Sequence, residues 1–115
     1  MNRRNSLLSV MAAVAALASP LSQAQEPIRL IVPYAPGGPL DITSRALAER
    51  VRDSLGVVII DNKAGAGGNI GADAVARAND DHTLGLMING NLTIAKLINP
   101  KATYDPLKDL QPVSL

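Results

Sequence analysis

Pro27-Ile28-Arg29-Leu30-Ile31-Val32-Pro33-Tyr34-Ala35-Pro36-Gly37-Gly38-Pro39-Leu40-Asp41 is the stretch that decides the fold. Its first half is apolar and β-branched and closes at Pro33, and the prolines and glycines of residues 33–38 continue neither a strand nor a helix. Pro39 suits the first turn of a helix, where its missing N–H is no loss, and Asp41 falls where the helix dipole favours negative charge. Beyond it Leu40, Leu47, Val51 and Leu55 share one stripe, Arg45, Glu49 and Arg52 lie away from it, and Gly56 supplies a stop. The expectation is a strand, a rigid loop and an amphipathic helix, in that order.

The unit recurs twice downstream. Residues 57–61 read as a second strand and residues 62–69 as a Gly-rich loop, followed by a helix that aligns Ile70, Ala74 and Ala78 with Val75 beside them. Residues 83–88 read as a third strand, Asn89-Gly90-Asn91 as a turn, and residues 92–98 as a helix that Asn99-Pro100 ends. This alternation predicts an α/β fold, a parallel sheet with flanking helices. Right-handed crossovers in such a sheet bring every strand-to-helix loop to one edge. Each loop opens a helix whose first N–H groups lack internal partners, and Gly leaves those groups accessible. The edge therefore suits a small anion held by backbone amides of Gly37, Gly38, Gly67, Gly68 and Gly90, with side-chain amides from Asn69, Asn89 and Asn91. The plainer reading gives the same glycines tight turns and nothing more.

The opening residues point to export. Arg3 and Arg4 precede an apolar run, residues 7–18, that is too short to anchor in a bilayer; Pro20 follows, and Ser22 and Ala24 place small residues at a cleavage site. Residues 1–24 are expected to be a signal peptide cut after Ala24, in preference to a helix of the fold. Residues 25–115 are expected to work in the periplasm without a membrane anchor. Without Arg3 and Arg4 the basic residues fall from 11 to nine against 10 acidic ones, and there are two Tyr but no Phe or Trp. Neither a basic face nor a base-stacking surface points to nucleic acid. The absence of Cys removes disulfides and a lipid-bearing N-terminal Cys.

No catalytic residue, metal site or cofactor is expected. Gly65, Gly67 and Gly71 imitate a dinucleotide fingerprint, but the third glycine is one place late, the loop follows the second strand, and no acidic residue stands about twenty positions on. A fragment of a dinucleotide-binding enzyme remains the alternative reading, and a small exported α/β module a third. Ser44, Ser54 and Ser114 lack a nucleophile-elbow setting. The single His82 falls before a strand, on the edge opposite the glycine loops.

The opening run resembles that of the tripartite tricarboxylate transporter substrate-binding proteins, also called Bug receptors. Two further blocks resemble the same family: Asn62-Lys63-Ala64-Gly65-Ala66-Gly67-Gly68-Asn69-Ile70-Gly71-Ala72, and Tyr104-Asp105-Pro106-Leu107-Lys108-Asp109-Leu110-Gln111-Pro112-Val113-Ser114-Leu115. The resemblance implies a periplasmic-binding-protein-like receptor of two α/β lobes, with residues 25–115 as part of the first. It also implies a small carboxylate ligand and the membrane permease subunits of the transporter as partners. Ligand contacts are implied at the loop after the first strand, Tyr34, Ala35, Pro36, Gly37, Gly38 and Pro39, and at Asn89, Gly90 and Asn91 after the third. Asn89-Gly90-Asn91 stands where members often carry Ser or Thr with Gly, and Asp80-Asp81-His82-Thr83 replaces a common Asp-Gly-Tyr-Thr turn.

Single residues add detail. Asp41 is a candidate for a ligand ammonium, although the helix dipole already accounts for its place. Asp105-Pro106 reads as an N-cap and first-turn Pro, with Tyr104 as a half-buried anchor beside it. Residues 111–115 read as the start of a strand, which suits a piece of a larger lobe.

Overall fold

The computed structural model of the chain describes residues 26–114, and the expected signal peptide lies outside the described residues. Three parallel strands, β1 (Ile28–Val32), β2 (Val58–Asn62) and β3 (Thr83–Gly85), form a sheet in the order β2-β1-β3. Ile28 pairs with Val58 on one side of β1, and Arg29 with Thr83 on the other. The central position explains the unbroken apolar run of β1: Leu30, Ile31 and Val32 are consecutive and all buried, as a parallel strand covered on both faces requires.

Helix α1 (Pro39–Leu55) joins β1 to β2, and α2 (Asn69–Ala76) is entered through a 3-10 turn at Ala66–Gly68. These crossovers run in opposite directions along the sheet, so right-handedness places α1 and α2 on opposite faces. The helix α1 packs on β1 and β2, and α2 on β1 and β3. Gly71 lets α2 press against the end of β1, since a Cβ there would lie 2.6 Å from Pro33 Cβ. Two short helices, α3 (Asn89–Thr93) and α4 (Ala95–Ile98), complete the described elements.

Several expectations are corrected in detail. Strand β2 begins and ends one residue later than residues 57–61. Strand β3 stops at Gly85, although Leu86 N still donates to Ile31 O at 3.0 Å. A Cβ on Gly85 would meet Met87 Cε at 2.5 Å and Val75 Cγ2 at 2.9 Å, so the glycine makes room there for both side chains. Residues 89–91 are the first turn of α3 rather than a separate turn, and the expected helix over residues 92–98 is interrupted at Ile94. Along α1 the buried positions are Asp41 and Ser44, while Leu47 and Leu55 stay exposed. Ser44 is buried with its hydroxyl satisfied, since that hydroxyl donates to Leu40 O at 2.7 Å.

Tyr104 lies deeper than a half-buried anchor. It is 3% exposed and forms a small core with Ala72 and Ala95, flanked by Ala76, Met87 and Leu110. Asp105 caps as expected, its carboxylate accepting from Leu107 N at 3.2 Å, but only one turn follows, closed by Asp109 N to Asp105 O at 2.8 Å. Residues 111–114 form no strand; Pro112 among them cannot donate to a ladder. Among the described residues no helix is long and apolar enough to cross a membrane.

Candidate functional site

The loops after the three strands meet at the carboxyl edge of the sheet, and one side chain ties them together. Asn91, 3% exposed, accepts from the Tyr34 hydroxyl at Oδ1 (3.0 Å) and donates through Nδ2 to Gly67 O (2.9 Å) and Asn69 Oδ1 (3.2 Å). Tyr104 holds the backbone of the same residue from the core, its hydroxyl donating to the Asn91 main-chain carbonyl at 2.8 Å, with Asn69 Oδ1 3.2 Å from that hydroxyl. Burial of an amide is tolerable only when its groups are paired, and here no buried side-chain polar atom among the described residues lacks a partner. Gly68 has φ +92°, and a Cβ there would stand 2.9 Å from both amide atoms of Asn91 and 3.0 Å from the Tyr34 hydroxyl. Only glycine admits this approach.

A second polar group holds the first loop from beneath. Asp41, 2% exposed, accepts from Gly37 N (2.8 Å) and Arg45 Nε (3.0 Å) at Oδ2 and from Asn62 Nδ2 (3.0 Å) at Oδ1. The Asn62 amide also donates to Tyr34 O at 3.1 Å. This is a variant of the capping box, with an acid three places into the helix reaching back to an amide before it. Arg45 first, then Gly37 and Asn62, hold the Asp41 carboxyl at about 2 against the raising effect of burial.

The predicted site residues separate into groups. Tyr34, Gly38 and Pro39 line a hollow of roughly 230 Å³ together with Leu40 and Ile88, which were not among them. Gly67, Asn69, Gly90 and Asn91 line an adjoining hollow of roughly 250 Å³, together with Ile88, Ile94 and Ile98. Ala35, Pro36, Gly37, Asp41, Gly68 and Asn89 line neither. Two of the predicted amides are used internally: Gly37 N on Asp41, and Gly68 N on Gly65 O at 2.9 Å. In α1 the first N–H to bond back is Ile42 N, to Gly38 O at 3.0 Å, so Leu40 and Asp41 carry the helix's orphan amides.

Three contributors have little or no signal in the sequence. Asn62 was signalled only by its place where an apolar run turns polar at the carboxyl end of a strand. The sequence places Ile88 in a strand, and Tyr104 has no spacing signal towards the loops. His82 sits on the opposite edge as expected: its carbonyl accepts from Arg29 N at 2.8 Å and its Nδ1 lies 3.5 Å from Glu26 Oε2. Among the described residues no group of three or more His, Cys, Asp or Glu is placed to hold a metal.

The sheet, its order and the loop edge are those of the periplasmic-binding-protein class. Among solved structures, one described as a periplasmic transporter superposes with a TM-score of 0.73 at 42% identity, covering 81% of this chain and 32% of that one. MatC from Rhodopseudomonas palustris, solved with bound malate, gives a TM-score of 0.71 at 39% identity, covering 76% and 31%. Residues 43–115 match the tripartite tricarboxylate transporter family receptor, and the chain belongs to that family. It is 40% identical to Protein BugT of Bordetella pertussis (strain Tohama I) over 121 residues, which covers 100% of this chain and 37% of that protein. The chain thus spans about a third of the length of these relatives.

Proposed function

We propose that this chain carries part of the first lobe of an exported receptor that captures a small carboxylate, of the di- or tricarboxylate kind or related to it. The receptor delivers this ligand to the membrane permease subunits of a tripartite transporter. The observation that carries the reading is the convergence of three strand-to-helix loops on the Asn91 amide, at the edge where α1 begins. A carboxylate there meets the N-terminal amides of α1, where partial positive charge is fixed in place. No Lys, Arg or His lines either hollow, so the expected partners on this side are backbone amides and neutral side chains. The malate-bound MatC supports the ligand class, and the family's name supports the permease partnership.

The location follows from the same reading: the signal peptide, residues 1–24, is removed after Ala24 and the remainder acts in the periplasm. No catalytic step belongs to this role. The test is calorimetric titration of a protein of the relatives' full length containing this segment, against malate, citrate, a monocarboxylate and NAD. Saturable heat with a carboxylate and none with NAD is expected. Binding of NAD alone contradicts the proposal and returns the dinucleotide reading.

A further inference from the structure

The first loop has little side-chain material of its own, since Ala35-Pro36-Gly37-Gly38 offers almost nothing to pack. Its backbone is instead held at two points: Tyr34 O accepts from Asn62 Nδ2 at 3.1 Å, and Gly37 N donates to Asp41 Oδ2 at 2.8 Å. The same Asn62 amide reaches Asp41 Oδ1 at 3.0 Å. The two anchor points are therefore linked through one residue of another strand. Asn62 lines neither hollow. Gly37 turns the loop with φ +83°, and a Gly-rich segment in such a conformation loses much chain entropy when it is ordered.

We infer that Asn62 is a positioning residue for this loop: from the end of β2 it couples the Tyr34 carbonyl to the Asp41 carboxylate and sets residues 34–38 before any ligand arrives. The inference rests on the proposed assignment of the loop to a carboxylate. Ordering the loop in the unliganded protein removes that entropic cost from the binding step. Arg45 complements Asn62 by neutralising Asp41, so that a buried negative charge beside the loop does not oppose an anionic ligand; its Nη2 also lies 3.5 Å from Asn62 Oδ1. The neighbouring Asp61 is occupied with Arg29 and Lys63.

The substitution Asn62→Asp separates positioning from bulk. An ionised Asp has no donor for Tyr34 O or Asp41, and two adjacent carboxylates raise the pKa of one of them, so a proton taken up at lower pH restores a donor. Asn62→Ala has no such recovery.

The experiment is amide hydrogen exchange by NMR on the whole chain, as protection factors, at about pH 7 and about pH 4.5, the window in which a raised carboxyl titrates. Gly37 protection is expected to fall about tenfold in N62A at both pH values, the loss of support for one bond to a charged group. In N62D it should fall at the higher pH and recover at the lower. The Arg29 amide, bonded to His82 O at 2.8 Å at the far end of the sheet, should keep its protection in both variants. Unchanged Gly37 protection in N62A, absence of recovery in N62D, or parallel loss at Arg29 overturns the inference. Malate titration of the same samples separates the two readings: an intact brace in a chain whose loop amides ignore malate counts against the carboxylate assignment alone.

Discussion

The hydroxyl of Tyr34 lies 3.0 Å from Oδ1 of Asn91 and joins residues 57 positions apart. Tyr34 follows β1 and Asn91 stands in the first turn of α3, so this bond closes the loop edge from the first strand to the third. Tyr34→Phe removes the donor and leaves a buried carbonyl oxygen short of a partner, at a cost of about 1–3 kcal/mol. Urea denaturation should show that loss, and a carboxylate titration of the longer receptor should show weaker binding. His82→Ala, on the other edge, should stay within about 0.5 kcal/mol of the parent in stability and leave binding unchanged.

The glycines of this edge are not equivalent, and alanine substitution should rank them. Gly68→Ala meets Asn91 at 2.9 Å with φ +92°, so it combines strain with a clash; Gly37→Ala, at φ +83° with nothing within 4 Å, meets strain alone. Gly38 has φ −78° and its added Cβ would sit 3.5 Å from Ala35 O, an ordinary contact. Thermal denaturation should order the losses Gly68, then Gly37, then Gly38, with about 1–2 kcal/mol for the left-handed strain alone. A Gly38 loss equal to that of Gly68 would contradict this geometry.

The strand-loop-helix order, the parallel sheet and the shared loop edge were all legible, because each rests on local signals: β-branched runs, Pro and Gly breaks, and helical period. The polar wiring was not. Nothing near Asn62 or Tyr104 in sequence announces partners far along the chain, and the burial of Ser44 in place of Leu47 depends on which part of α1 comes closest to the sheet. Glycine density suggested backbone amides open to a ligand, yet Gly37 N and Gly68 N bond within the protein. Composition cannot distinguish a glycine that presents its amide from one that makes room for a neighbour.

Tyr104 gives an alkaline signature. Its phenol is pushed above its ordinary value chiefly by burial, with Tyr34 and Asp73 adding to the shift. A raised folded pKa means that this contribution to stability is whole below the unfolded value of about 10 and is lost as pH climbs from there through the folded pKa. Tyr104→Phe should remove that part of the alkaline decline while lowering stability at neutral pH, as followed by urea denaturation across a pH series.

Asp41 gives the opposite sign. Its pKa is lowered to about 2, first by the hydrogen bond from Arg45. Its contribution is present above the unfolded value of about 3.9 and is lost as pH falls through the folded one. Asp41→Asn should therefore be less stable than the parent at neutral pH, and the gap between the two should narrow as pH drops below about 4, the unfolded carboxylate range.

Binding of a carboxylate where the three loops meet is tested by a malate titration of residues 25–115 followed by amide NMR. Binding is expected to be weak, in the millimolar range or about 4 kcal/mol, because the chain spans about a third of its relatives' length. The shifting resonances are expected to cluster at Gly38, Leu40, Asp41 and Asn89 to Asn91, with the His82 edge silent. Shifts confined to the His82 edge, or loop resonances that ignore malate throughout the titration, would contradict binding where the loops meet.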